Sequence, residues 1–354
     1  RGAAGFGGDV VTRPDSRDAP HLFGLGLQEM LADEMTTDLR STRAEALAEA
    51  RRQGRSVTRA LRAKGVSFGQ ITAGMDGSVD TSRVRGVDAD LRIKPFFAHG
   101  GTASIREFVV GAFKDEMGLQ AVDPLLARAA GGERVTTPTG LILDGRLDRV
   151  ATAPAATAMD DPDGDGVRNE IPTALVDYME FYLMNYFKPA TYRSTSFSNL
   201  GLRLMKQTGC TDCHVQNLTV EHDRRVADVE TEHDARYGVF NGLYSTASLQ
   251  LTEIVDSAAH PTLKQPLGNA FVVRNFFSDL KRHDLGPAFW ERNYDGSMTR
   301  EFVTEPLWGV GSTAPYGHDG RSINLREVIL RHGGEAQRSR NAFAVLPEGA
   351  QLAI

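Results

Sequence analysis

Cysteine is almost absent from this chain of 354 residues: there are two, Cys210 and Cys213, three positions apart. A disulfide-stapled fold is excluded, so the structure rests on the apolar core that a 41% hydrophobic composition can supply. Long hydrophobic runs are missing as well. The longest candidate, Phe181 to Phe187, falls far short of the roughly 20 residues that cross a bilayer, and no transmembrane span is expected. A basic excess is also lacking. With a net charge of -6 the chain has no electrostatic footprint for nucleic acid. It opens on Arg1, with no initiator methionine or signal peptide, so a processed N-terminus or a start further upstream is expected.

Both cysteines fall in one motif, Cys210-Thr211-Asp212-Cys213-His214. This C-x-x-C-H spacing suits covalent attachment of haem c, because two thiols add across the two vinyl groups of one haem edge while the adjacent imidazole reaches the iron. Cys210 and Cys213 are therefore the expected anchors and His214 the proximal ligand. A thioredoxin-like motif would follow a β-strand, whereas Leu202, Leu204 and Met205 read as the end of a helix. A structural zinc site would need two more ligands at close spacing, and no further cysteine exists. Chance pairing of two structural thiols is the remaining alternative. Covalent haem c is assembled outside the bacterial cytoplasm, which places the protein in the periplasm or beyond it.

The rest of the chain reads as mainly α, with long loops and a few short strands. Arg1 to Pro20 is glycine-rich loop, and Leu25 to Lys64 reads as a helix pair, or one long helix, broken near Gly54, with Leu27, Met30, Leu31 and Met35 on its packing stripe. Loops with short strands are expected from Val66 to Phe97, then a helix from Ser104 to Met117 that Gly118 stops. A helix from Thr173 to Phe187, apolar on most sides and hence buried, is followed by Asn199 to Thr208, which delivers the haem motif. Val215 to His260 reads as loop, its His222, His233 and His260 as surface histidines.

Asp161, Asp163 and Asp165 alternate along a glycine-kinked loop, the arrangement that converges carboxylates on a hard cation. Calcium fits this set, with the Val167 carbonyl. The twelfth position of an EF-hand loop is Pro172 here, so Asn169 or Glu170 would complete the shell. An acidic solvated turn is the competing reading.

A last helix is announced by Asn324 with Glu327 three residues on, a capping-box arrangement. Along it Leu325, Val328, Ile329 and His332 fall at i, i+3, i+4 and i+7. His332 thus shares the apolar stripe. An imidazole there needs a partner, and iron is the expected one, with His318 and His283 as rivals and Met205 as a weaker fourth; a core histidine hydrogen-bonded to backbone is the competing reading.

The stretches GLRLMKQTGCTDCH, FSDLKRHDLGP and EPLWGVGSTAPYGHDGRSINLREVILRHGGEA resemble the bacterial di-haem oxidoreductases, the group related to di-haem cytochrome c peroxidases. RDAPHLFGLGLQEML and REFVVGAFKDEMGLQ resemble the N-terminal half of the same group. The resemblance implies two cytochrome c-like domains facing each other, 1–170 and 171–354, one haem apiece and calcium near or between them. It places the second haem's proximal ligand at His214 and its distal ligand at His332, with His318 and Asp319 in a haem-lining HDG element. It also implies a first C-x-x-C-H motif upstream of residue 1 and a closing helix beyond Ile354, so that either the sequence is truncated at both ends or the first haem has been lost. Because the peroxide-reacting iron of the peroxidases belongs to that first haem, no catalytic residue is assigned here. The function implied is electron transfer through a covalently bound haem in a peroxidase-like oxidoreductase. The alternative is a non-catalytic electron conduit or structural subunit of a larger assembly. A small cytochrome or a cupredoxin is the partner implied. Trp308 and Tyr316 are either on a path between haems or core aromatics.

Overall fold

The computed structural model describes residues 21–151, 153–162, 164–168, 170–185, 195–225, 270–293 and 295–354. Helix α1, Leu25–Gln53, starts and stops at glycines in the left-handed conformation, Gly24 and Gly54, and carries Arg51 and Arg52 where they complement the negative end of the helix dipole. Its first two turns are buried on all sides, and its remainder buries one stripe, Met35, Leu39, Ala46 and Ala50. The residues after Gly54 are not a second helix. They form an antiparallel meander, β1 Val57–Ala63, β2 Val66–Ala73 and β3 Val79–Asp80. Lys64 and Gly65 both have positive φ, 47° and 83°. That two-residue turn closes a hairpin and cannot continue a helix. Val57, Leu61 and Ala63 then turn inward from β1, which packs on α1.

Helix α2, Ile105–Met117, begins at the Ser104/Glu107 capping box and ends at Gly118, as its sequence suggests. Helix α3, Pro124–Ala130, is capped by Asp123, and a hairpin of β4 Arg134–Thr136 and β5 Ile142–Asp144 follows. Helix α4, Thr173–Asn185, packs on α1 and α2. It is half-buried, not buried on most sides: Val176, Leu183 and Met184 are covered, while Tyr182 is 46% exposed. Its buried Glu180, together with Asp123 and Asp177, surrounds the fully buried Arg106 of α2 at 2.6 to 2.9 Å. The contact with Asp123 lacks hydrogen-bond alignment and is electrostatic.

Helix α5, Ser196–Thr208, starts three residues before Asn199 because Thr195 and Ser198 cap it reciprocally. Beyond it β6 Leu218–Val220 pairs with β7 Phe271–Val273, and both send apolar side chains into the core that α1 founds. Strand β8 Arg282–Asp284 pairs with β11 Glu301–Val303, and β9 Glu291–Arg292 pairs with β10 Met298–Thr299. The chain closes with α6 Leu325–Arg331, α7 Gln337–Ala344 and α8 Glu348–Ala353, of which α7 and α8 pack on α5. The architecture is mainly α with short antiparallel strands. Among the described residues the main apolar core ends at Trp308, and nothing from 309 to 354 belongs to it.

One loop-and-helix unit occurs twice. In the first, an isolated β-bridge between Phe96 and Thr102 closes a loop containing His99, and Ser104 caps the helix that follows. In the second, a bridge between Tyr316 and Ser322 closes a loop containing His318, and Asn324 caps the helix. Each cap is followed by an apolar residue, an arginine and a glutamate: Ile105-Arg106-Glu107 and Leu325-Arg326-Glu327. The two loops lie back to back, for the Val303 N–H of β11 donates to the Ala98 carbonyl at 2.8 Å while the neighbouring Phe302 stacks on His318.

Candidate functional site

Gly209 ends α5 in a left-handed conformation, φ 81°, and turns the chain into a tight 3-10 turn over Cys210–Asp212. Both thiols are free and half-buried there, Cys210 within 3.2 Å of the Thr208 hydroxyl. The turn is closed by the His214 N–H donating to the Cys210 carbonyl at 2.9 Å. The imidazole of His214 then donates from Nδ1 to the Phe277 carbonyl at 2.9 Å. Burial holds its pKa below the usual value, with the Phe277 carbonyl and Asp279 opposing, so it is neutral at pH 7.

His332 repeats this arrangement. It caps the C-terminus of α6, and its Nδ1 donates to the Val328 carbonyl at 2.7 Å. Burial lowers its pKa, the Val328 carbonyl opposes, and charge repulsion from His214 and Arg331 lowers it further. In both imidazoles the Nδ1–H is committed to a carbonyl and no bond to Nε2 is formed among the described residues. A neutral imidazole held in this tautomer presents its Nε2 lone pair, which is how histidine ligates a metal.

The helices next to the two histidines in sequence carry apolar side chains that protein only half covers: Leu202, Leu204 and Met205 of α5, and Val328, Ile329 and Leu330 of α6. Two accessible thiols at C-x-x-C spacing, two imidazoles with Nε2 available, and half-covered apolar helix faces fit a haem group. The chain's C-terminal segment, residues 211–354, matches the family model described as "Di-haem oxidoreductase, putative peroxidase". Over that stretch the chain is similar to the di-haem oxidoreductases. No curated protein and no solved structure matches it.

Within this matched segment the other histidines are differently employed. His283, buried on β8, bonds Asp279 through Nε2 and Glu335 through Nδ1, each at 2.9 Å. Burial alone would lower its pKa, but the bonds to Asp279, Cys213 and Glu335 outweigh it and push the value up to about 11. An imidazolium with both nitrogens bonded to carboxylates has no lone pair for iron. His318 stacks on Phe302, centroids 3.9 Å apart, and lies 6.2 Å from Phe289, whose ring also meets His332 edge-on at 5.2 Å. Phe289 thus links the rings of His318 and His332. Neighbouring Asp319 accepts two bonds from Arg331, at 2.7 and 3.2 Å, which fastens the HDG loop to the residue before His332. Sequence reading missed this pair, although the HDG element and Arg331 were both in view. Trp308 is a core aromatic, packed edge-on against Phe276, and the Tyr316 hydroxyl donates to the Val310 carbonyl.

In the acidic loop, Asp161 accepts from the Gly164 and Gly166 N–H groups at 3.0 and 3.1 Å, and Asp165 accepts from Val167 at 2.7 Å. Glu170 turns away to accept from the Gln120 N–H at 2.7 Å. Asp163 and Asn169 lie outside the described residues, as do His233 and His260. The one group of at least three acidic, histidine or cysteine side chains close enough to share a metal, among the described residues, is Cys213, Asp279 and His283. No helix of the described residues is long and apolar enough to cross a membrane.

Proposed function

We propose that this chain is a c-type haem protein of the peroxidase-like di-haem oxidoreductase kind, in which Cys210 and Cys213 would anchor a haem and His214 and His332 would hold its iron. The observation that carries this reading is the matched pair of half-buried, neutral imidazoles, each with Nδ1 tied to a backbone carbonyl. Bound there, the group supplies a one-electron couple. The protein's own part is to fix the two ring orientations, to keep both imidazoles unprotonated, and to wall the pocket with Phe289, Phe302 and His318. Replacing both Cys210 and Cys213 by alanine abolishes haem staining on a denaturing gel; covalent haem that survives the double change refutes the assignment.

Two histidine ligands would leave the iron no free site, which would favour electron transfer over peroxide chemistry at this centre. A non-catalytic conduit or structural subunit is the second reading, with a small cytochrome or cupredoxin as partner and a periplasmic or extracellular location. We further propose calcium in the loop carrying Asp161, Asp163, Asp165 and the Val167 carbonyl, with Asn169 as the closing ligand because Glu170 serves Gln120. A chelator then lowers the thermal midpoint of the native protein, and an unchanged midpoint removes calcium from the account.

A further inference from the structure

The loop that holds His214 and the strap that follows His332 meet at one side chain. Phe277, whose carbonyl takes the His214 Nδ1–H, is two residues from Asp279, whose Oδ2 lies 2.9 Å from His283 Nε2. On the other side, Glu335 stands three residues after His332 and reaches His283 Nδ1 at 2.9 Å through one oxygen while its second accepts the Asp284 N–H at 3.1 Å. The backbone seals the same seam. The Gly333 N–H donates to the Leu285 carbonyl at 2.8 Å, and a Cβ at Gly334, φ 47°, would fall 2.1 Å from the Asp284 carbonyl oxygen. His283 is 5% exposed and Asp279 1%, so this junction is shielded from water on its proximal side. Hydrogen bonds between charged partners in such a place are the strong ones.

We propose that His283 is a positioning residue: by bonding Asp279 and Glu335 at once, it ties the His214 loop to the His332 strap and sets the separation of the two axial imidazoles. A cation whose only task was to balance the buried Asp279 would not need Glu335, and the strap would not need to close over β8. The grouping of Cys213, Asp279 and His283 has a metal site as its competing reading. Both His283 nitrogens are already occupied and Cys213 is spent on haem attachment, which disfavours that alternative. The proposal rests on the axial assignment made above.

The test uses the holoprotein, purified with its haem attached. Glu335 is 55% exposed at its side chain, so Glu335→Ala leaves the buried part of the junction folded even where His283→Ala does not. In Glu335→Ala the strap is released, a high-spin fraction appears in the optical and electron paramagnetic resonance spectra, and carbon monoxide binding to the ferrous protein speeds up by about tenfold or more, the scale of one lost charge-assisted hydrogen bond. Glu335→Gln keeps an acceptor oxygen and restores the low-spin spectrum. A merely stabilising contact would lower the melting temperature of Glu335→Ala without altering its spin state or carbon monoxide kinetics, and that result overturns the tie while leaving the axial pair standing. A wild-type spectrum that is already five-coordinate overturns both.

Discussion

The two loop-and-helix units share a plan and differ in what they do with it. Ser104, Ile105, Arg106 and Glu107 are all buried, whereas Asn324, Leu325, Arg326 and Glu327 are all exposed, Leu325 at 39%. In the first unit Arg106 is driven into the core, where Asp123, Asp177 and Glu180 neutralise it, and α2 runs on for 13 residues to Gly118. In the second, Arg326 bonds Gln351 at the surface and α6 stops after seven residues, so that His332 caps it. Eight positions after the N-cap, the first unit has Ala112 where the second has His332. A helix start with one local sequence logic therefore serves either as packing or, on the function proposed, as the mount for a ligand, and tertiary surroundings decide which.

The largest expected effect falls on the packed unit. Arg106→Ala strands three carboxylates around an apolar gap and lowers stability by about 3–5 kcal/mol, read as a drop in the denaturant midpoint; a loss under about 1 kcal/mol would mean the buried cluster is incidental. His332→Ala comes next. It removes the sixth ligand, so the holoprotein gains a site for water or an added ligand, while His332→Met keeps six-coordination and raises the potential because a thioether favours ferrous iron. An unchanged low-spin spectrum in His332→Ala would transfer the ligand's role to another side chain. A third effect separates the halves by pH. His283 has its pKa raised from 6.5 to about 11, so its stabilising contribution is complete below pH 6.5 and fades as the pH climbs towards 11. His283→Asn should flatten the decline of the urea midpoint over that window, and an alkaline limb of wild-type slope would contradict it. The smallest effect is at the surface counterpart of Arg106: Arg326→Ala should shift stability by no more than about 0.5 kcal/mol.

How much of this could be read from sequence depended on how local the chemistry is. The C-x-x-C-H motif is complete within five residues, whereas the i+7 spacing that put His332 on a buried stripe does not hold: α6 ends at Arg331 and buries none of its residues. The glycine-capped end of α2 was as plain as the motif. Residues 57–63 were misread as helix because alanine, arginine and leucine outweighed the two-residue turn at Lys64-Gly65. What fixes the imidazoles was out of reach: Phe277 lies 63 positions from His214, and Glu335 lies 52 from His283. The repeated unit was legible in Ser-Ile-Arg-Glu and Asn-Leu-Arg-Glu, each behind a histidine loop, but the second loop is one residue longer from histidine to cap and the pattern slips out of register.

The central claim, covalent haem on the C-terminal unit, is tested most directly by mass analysis of the tryptic peptide Gln207–Arg224 from the native protein. The account predicts that this peptide carries the mass of one haem through denaturation and digestion, attached at Cys210 and Cys213. Recovery of the same peptide from the matured protein with two unmodified thiols would contradict it.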